Sequence, residues 1–108
     1  MNELIRWQVV DPNSGAPLDQ QCGHVEAIVP IATSTIAGCE DCLREGSEWV
    51  HLRECLTCGR IRCCDNSPRQ HSTAHWKADG HPLLRSVEPG ESWAWCYPEE
   101  LFLLPLDD

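Results

Sequence analysis

The chain has 108 residues, which fits one domain, and it carries 8 Lys and Arg against 17 Asp and Glu for a formal net charge of −9. This acidic balance argues against nucleic acid and anionic membranes as partners, because both are bound through clustered basic residues. No apolar run approaches the roughly 20 residues that span a bilayer. With one Phe, one Tyr and one Met, the core is modest, so we expect metal to add stability.

Residues 1–21 show no clear period and are interrupted by Pro12, Gly15 and Pro17. We therefore predict a lead-in over 1–21 and one domain over 22–108. The N-terminus lacks an apolar segment behind basic residues, so we expect a cytoplasmic location. Cysteines in that reducing compartment favour metal binding over disulfides.

Two C-x2-C pairs come next, CEDC at residues 39–42 and CLTC at residues 55–58. The first predicts a ligand turn that runs into a short helix, with Gly46 in the left-handed position at its end. Residues 48–54 alternate between apolar and polar types, which predicts a strand leading to the second pair. Residues 61–63 are predicted to be the returning strand.

The main helix is predicted at about 68–79. Ser67 is expected to cap its N-terminus, with Gln70 at the third helical position reaching back. His71 and His75 are four residues apart, so they share one face of this helix.

Two further strands are predicted at 83–87 and 92–97, joined by a turn in which Pro89 and Gly90 occupy the central positions. Residues 98–108 are expected to form a last helical turn over the core. The predicted fold is α+β: a small zinc-stabilised domain with a short antiparallel sheet packed on one main helix, plus short helical turns.

Eight of the cysteines and histidines in the middle of the chain have the spacing of zinc ligands. In order they are Cys39, Cys42, Cys55, Cys58, Cys63, His71, His75 and His81. Four N or S ligands complete the tetrahedron of structural Zn²⁺, so eight ligands predict two ions. The spacing allows either a sequential or an interleaved assignment.

These motifs, with the run GHPL at residues 80–83 and the closing WCY at 95–97, resemble the ubiquitin-specific-protease-type (UBP-type) zinc finger. The resemblance covers about residues 22–97, and the single-domain form looks like bacterial members. It implies the interleaved assignment. One zinc would take Cys39, Cys42, Cys63 and His71, and the second Cys55, Cys58, His75 and His81.

The resemblance also implies a third candidate zinc site. In many relatives an early C-x-H pair joins a terminal C-x2-C, and Cys22, His24 and Cys96 match three of those four positions. Glu99 stands at the fourth, where a carboxylate can ligate zinc. The alternative is that these cysteines are packed residues without metal.

A zinc with four protein ligands has no open position for substrate, so we predict a non-enzymatic binding module. The resemblance implies a pocket for the free Gly-Gly tail of ubiquitin. Trp95 and Tyr97 match its aromatic walls, but Asp65 stands where the family has an Arg. We therefore expect a different peptide or protein terminus on the Trp95 and Tyr97 face, with ubiquitin an unlikely partner and Arg60, Arg62 or Lys77 as substitute cations.

Two alternatives remain open. Cys64 has no place in either zinc assignment, and the chain could be a redox- or metal-responsive thiol protein that uses Cys64 with the zinc thiolates. An enzyme at the third site would need water, rather than Glu99, as the fourth ligand.

Overall fold

The computed structural model describes residues 7–28 and 38–105, and its central feature is a six-stranded antiparallel sheet. The strands are β1 (Trp7–Val10), β2 (Leu52–Cys55), β3 (Ile61–Cys63), β4 (Leu83–Ser86), β5 (Ala94–Cys96) and β6 (Leu101–Pro105). The helices in these ranges are α1 (Glu40–Glu45), α2 (His71–Asp79) and a 3-10 turn (Gly23–Ala27). The spatial strand order is β1-β6-β5-β4-β2-β3. The predicted α+β fold is confirmed.

The strand register separates the two faces of the sheet. Leu83 pairs with Cys96, and Leu103 pairs with both Ala94 and Val9. Because directly paired residues point to the same face, these side chains meet and form a buried core cluster. The neighbouring positions along each strand point to the opposite face, which carries α2 and an aromatic cavity.

A second core cluster lies near α1 and is made largely of cysteines. It combines Cys39, Cys42 and Cys63 with Leu52 and Ile61. The three cysteines are fully buried, yet small thiols bury little apolar area compared with Leu or Phe. The stability of this cluster therefore depends on the interaction that holds the three thiols together.

The termini of α1 follow the sequence prediction. Cys39 accepts a hydrogen bond at Sγ from the backbone N–H of Cys42 at 3.3 Å. At the other end Gly46 has φ 76° and donates its N–H to the carbonyl of Cys42. Only a residue without Cβ takes this conformation readily, which explains why the helix ends there.

The predicted start of α2 is wrong by one turn. Ser67 accepts at Oγ from the backbone N–H of Val50 at 2.9 Å, so it is not available as a helix cap. Gln70 has φ 48° and donates from Nε2 to the carbonyl of Asp65 at 2.9 Å instead of reaching back. The helix therefore begins at His71 rather than near residue 68.

The hairpin of β4 and β5 is confirmed, with the N–H of Glu91 donating to the carbonyl of Glu88 at 3.1 Å. The strand predicted over 48–54 is Leu52–Cys55 in the structure. The C-terminal prediction is also wrong, because Leu101–Pro105 is a strand and not a helical turn. Its outer neighbour is β1, which lies in the stretch for which the sequence predicted only a lead-in.

No helix in the described ranges 7–28 and 38–105 is long and apolar enough to cross a membrane.

Candidate functional site

The first cluster joins the start of α1, strand β3 and the start of α2. The candidate ligand atoms of Cys39, Cys42, Cys63 and His71 all lie within 4.8 Å of one another. Nδ1 of His71 is 3.4, 3.3 and 3.4 Å from the three Sγ atoms in that order. Its Nε2 faces the carboxylate of Glu45 at 3.2 Å. Nδ1 of His71 thus faces the three thiols, and Nε2 is held by the carboxylate of Glu45.

The second cluster brings together Cys55, Cys58, His75 and His81, again within 4.8 Å. Nε2 of His75 is 3.6 Å from Sγ of Cys58, and Nδ1 of His81 is 3.4 Å from Sγ of Cys55. Nδ1 of His75 lies 2.8 Å from Oδ2 of Asp79. Burial, a nearby arginine and the second imidazole lower the pKa of His75, which keeps the ring in the neutral form that binds metals.

The third cluster contains Cys22, His24, Cys96 and Glu99 within the same 4.8 Å limit. Nδ1 of His24 is 2.7 Å from Oε1 of Glu99 and 3.5 Å from Sγ of Cys96. Burial and the hydrogen bond to Glu99 raise the pKa of Cys22 to about 12. The two cysteines are buried whereas Glu99 is exposed, so solvent reaches this cluster from the carboxylate side.

The donor chemistry of these clusters fits zinc. Sets of three or two thiols with one or two imidazoles are the usual ligands of structural zinc, and a carboxylate oxygen is also accepted. Burial and the neighbouring thiols raise the pKa of Cys42 to about 12, so this crowded site resists negative charge without a cation. The carboxylates behind His71 and His75 are the outer partners that orient metal-binding imidazoles.

The comparison with known families agrees with this chemistry. The model of a family described as "Zn-finger in ubiquitin-hydrolases and other protein" matches residues 39–107. The chain belongs to this zinc-finger family. The match includes all eight residues of the first two clusters, but it begins after Cys22 and His24. It is a zinc-binding domain with three candidate sites.

Among solved structures, the chain is similar to protein RPA1320 from Rhodopseudomonas palustris, determined in solution by NMR. The two are 47% identical, the match covers 79% of this chain and 82% of the other, and the TM-score is 0.68. No curated protein matches the chain.

A cavity of about 320 Å³ lies on the face of the sheet opposite the core of β1, β4, β5 and β6. Its walls include Trp95 and Tyr97, as predicted, and also Trp93 and Phe102. The rings of Trp93 and Phe102 stack with centroids 5.4 Å apart. These residues share a face because Trp95 pairs with Phe102, and Trp93 and Tyr97 are two positions away from Trp95. The sheet therefore contributes four aromatic side chains to the walls of the cavity.

Asp65 lines this cavity and is fixed by α2. Its Oδ1 accepts a hydrogen bond from Oγ1 of Thr73 at 2.5 Å, and Oγ1 lies 3.1 Å from the hydroxyl of Tyr97. Trp76 stacks on the ring of Tyr97 with centroids 5.6 Å apart. Burial and the charge of Asp65 contribute to raising the pKa of Tyr97 to about 12.

The cation of the cavity is Arg53, which was not among the cations predicted from the sequence. Its Cζ lies 4.5 Å from the ring centroid of Trp93. The cations expected there are elsewhere: Arg62 pairs with Asp41 at 3.1 Å and Arg60 with Glu40 at 3.3 Å. Lys77 is an exposed residue of α2 and is not among the cavity walls. The alternating sequence of β2 predicted that Arg53 lies on the polar side of the strand. Its contact with Trp93 depends on the strand order, which this pattern does not give.

Cys64 is outside all three clusters. It is 6% exposed, its Sγ lies 3.6 Å from Oγ of Ser67, and it contributes to the wall of the cavity. Burial raises the pKa of this thiol, but the hydrogen bonds from Ser67 and from nearby backbone outweigh burial, so the pKa lies below its ordinary value.

Proposed function

We propose that the chain is a zinc-structured interaction module without enzymatic activity. The first cluster holds one Zn²⁺ through three thiols and His71, and the second holds another through two thiols, His75 and His81. The observation that carries this assignment is the orientation of His71 and His75. Each turns one ring nitrogen to the thiols and the other to a carboxylate, an arrangement typical of metal-binding histidines.

The third cluster is proposed as a further zinc site, completed by the carboxylate of Glu99. Glu99 is the one exposed residue among the members of the three clusters, so solvent reaches this site through the carboxylate. Zinc in any of these sites has four protein ligands, which leaves no position for a reacting water or substrate. The chemistry that zinc supplies here is the cross-linking of loops and strands.

The binding surface of the module is the aromatic cavity. We propose that it accepts a peptide or protein terminus, with Trp95 and Tyr97 as contact residues, in the cytoplasm and without nucleic acid or membrane. The free Gly-Gly tail of ubiquitin is disfavoured because the carboxylate of Asp65, held by Thr73, repels a second carboxylate. Recognition of such a tail normally needs a charge-assisted donor at that position.

The test is a titration of isotope-labelled, zinc-loaded protein with a library of short peptides that have free or capped ends. Saturable shifts of the indole N–H signals of Trp93 and Trp95 are expected with some of them. A library without any effect on these signals contradicts the binding proposal.

The Gly-Gly tail peptide should give no shifts at micromolar concentration, and the variant Asp65→Arg should gain them. Asp19→Arg, at an exposed position outside this cavity, is the matched control. Tail binding by the unmodified protein contradicts the assigned role of Asp65.

A thiol sensor based on Cys64 is the second candidate, favoured by the lowered pKa of that thiol. Its burial opposes the idea, because oxidants must reach the sulfur. Alkylation of Cys64 in the zinc-loaded protein at the rate of a free thiol, accompanied by zinc release, would support the sensor over the binding module.

A further inference from the structure

We propose that the cavity selects a small dipolar ligand, one that carries a carboxylate and an ammonium group beside an apolar body, as a free amino acid does. This inference rests on the proposed function, since it assigns a ligand class to the same cavity. It follows from two opposite charges, Arg53 and Asp65, which line the same cavity and do not form an ion pair with each other.

The positive wall is Arg53. Its Nη1 donates to the carbonyl of Leu52 at 2.9 Å and to Oγ of Ser86 at 3.3 Å. Nε and Nη2 share the other edge of the guanidinium, and no described residue forms an ion pair with Arg53. Two N–H groups on one edge match the two oxygens of a carboxylate. The aromatic contact with Trp93 holds the guanidinium plane in place.

The negative wall is Asp65. Thr73 occupies Oδ1, and no hydrogen bond to Oδ2 is formed by the described residues. Asp65 is exposed whereas Arg53 is half-buried, so the carboxylate is at the mouth and the guanidinium is deeper. An ammonium group at the mouth would meet the free oxygen.

The charges and the volume of the cavity together restrict the kinds of ligand that it can bind. A purely anionic ligand is attracted by Arg53 and repelled by Asp65, and a purely cationic ligand meets the reverse, so each gains little. A dipolar ligand satisfies both walls at once. The volume of about 320 Å³ is at the lower end of the range of about 300–1,000 Å³ for small-molecule sites. It suits an amino acid or a dipeptide, with the apolar side chain against Trp95 and Phe102.

The probes are leucine, N-acetylleucine and leucinamide, which share one side chain and differ only in charge. Each is titrated into the isotope-labelled, zinc-loaded protein while the indole N–H signals of Trp93 and Trp95 are followed. Leucine is expected to bind about tenfold or more tightly than either capped form, because each capped form leaves one charged wall unmatched. A capped form that binds as well as leucine overturns the proposal.

Charge-removing variants make the test specific. Asp65→Asn should abolish the preference for leucine over N-acetylleucine, and Arg53→Gln should abolish the preference over leucinamide. Arg60→Gln removes an exposed cation outside the cavity and should change neither preference. If Arg53→Gln does not fold, Asp65→Asn at its exposed position decides the outcome. An unchanged preference in Asp65→Asn contradicts the inference.

The two proposals fail differently. If leucine gives no shifts while peptides from the library still do, only the ligand class is wrong. If neither leucine nor any peptide shifts the indole signals, the binding function is wrong as well.

Discussion

Asp79 offers a test of the second zinc site that does not touch a metal ligand. Its Oδ2 lies 2.8 Å from Nδ1 of His75, whose side chain is 8% exposed against 54% for Asp79. A carboxylate that accepts a hydrogen bond from Nδ1 favours the tautomer in which Nε2 can bind the proposed zinc. The variant Asp79→Asn removes this acceptor charge while keeping nearly the same shape.

Two free energies, the contribution of the ion pair to folding and its contribution to zinc affinity, show which quantity should be measured. A charged pair four residues apart on a helix, with one partner in solvent as Asp79 is here, contributes about 0.3–0.5 kcal/mol to folding. Loss of an outer partner of a zinc-binding histidine lowers metal affinity about 10–100-fold, which is about 1.4–2.8 kcal/mol at about 1.4 kcal/mol per tenfold. Zinc retention should therefore change several times more than helix stability.

The assay is a competition for zinc with a chelator of known affinity, read as zinc remaining per chain. In Asp79→Asn, one zinc should leave at a chelator concentration one to two decades lower, while the others leave as before. Asp19→Asn, which removes an equal charge at an exposed position, should behave as the unmodified protein. A competition curve for Asp79→Asn that overlays the control would refute the role of this carboxylate.

Three further outcomes are expected. Exhaustive removal of zinc should unfold the domain, since structural zinc contributes an apparent 10–16 kcal/mol or so in small domains; an unchanged far-UV circular dichroism spectrum would contradict this. Cys58→Ala should lower the zinc content by one ion and Cys64→Ser should leave it unchanged, as measured by elemental analysis. Leu103→Ala, at a position 1% exposed, should cost about 2–5 kcal/mol in zinc-loaded denaturant unfolding. Leu43→Ala, 56% exposed, should stay within about 0.5 kcal/mol.

Local signals in the sequence predicted the features that depend on local chemistry. The left-handed Gly46 ends α1, and Pro89 and Gly90 turn β4 into β5. The eight central cysteines and histidines meet in the interleaved groups that the family resemblance implied, whereas spacing alone left a sequential scheme open.

The errors come from contacts that the local sequence does not contain. The period of a short apolar run such as Leu101–Pro105 is compatible with a helix or a strand. In the folded chain this run is a strand because it pairs with β1 and β5. In the same way Ser67 had the chemistry of a helix cap, but the backbone N–H of Val50 uses its hydroxyl. The role of Arg53 depends on which strands become neighbours, which no single segment reveals.

The residues of the two proposed central zinc sites alternate along the chain, and this order has a consequence for biosynthesis. Cys39, Cys42, Cys55 and Cys58 are all translated before His71, and a chain folds progressively as it leaves the ribosome. Four thiols in two C-x2-C pairs form a complete tetrahedral set by themselves. A zinc ion captured by the nascent chain at that moment would join two C-x2-C pairs that lie in different clusters of the folded domain. With zinc in both clusters as proposed, two of these thiols would have to release that ion once the histidines of α2 have left the ribosome.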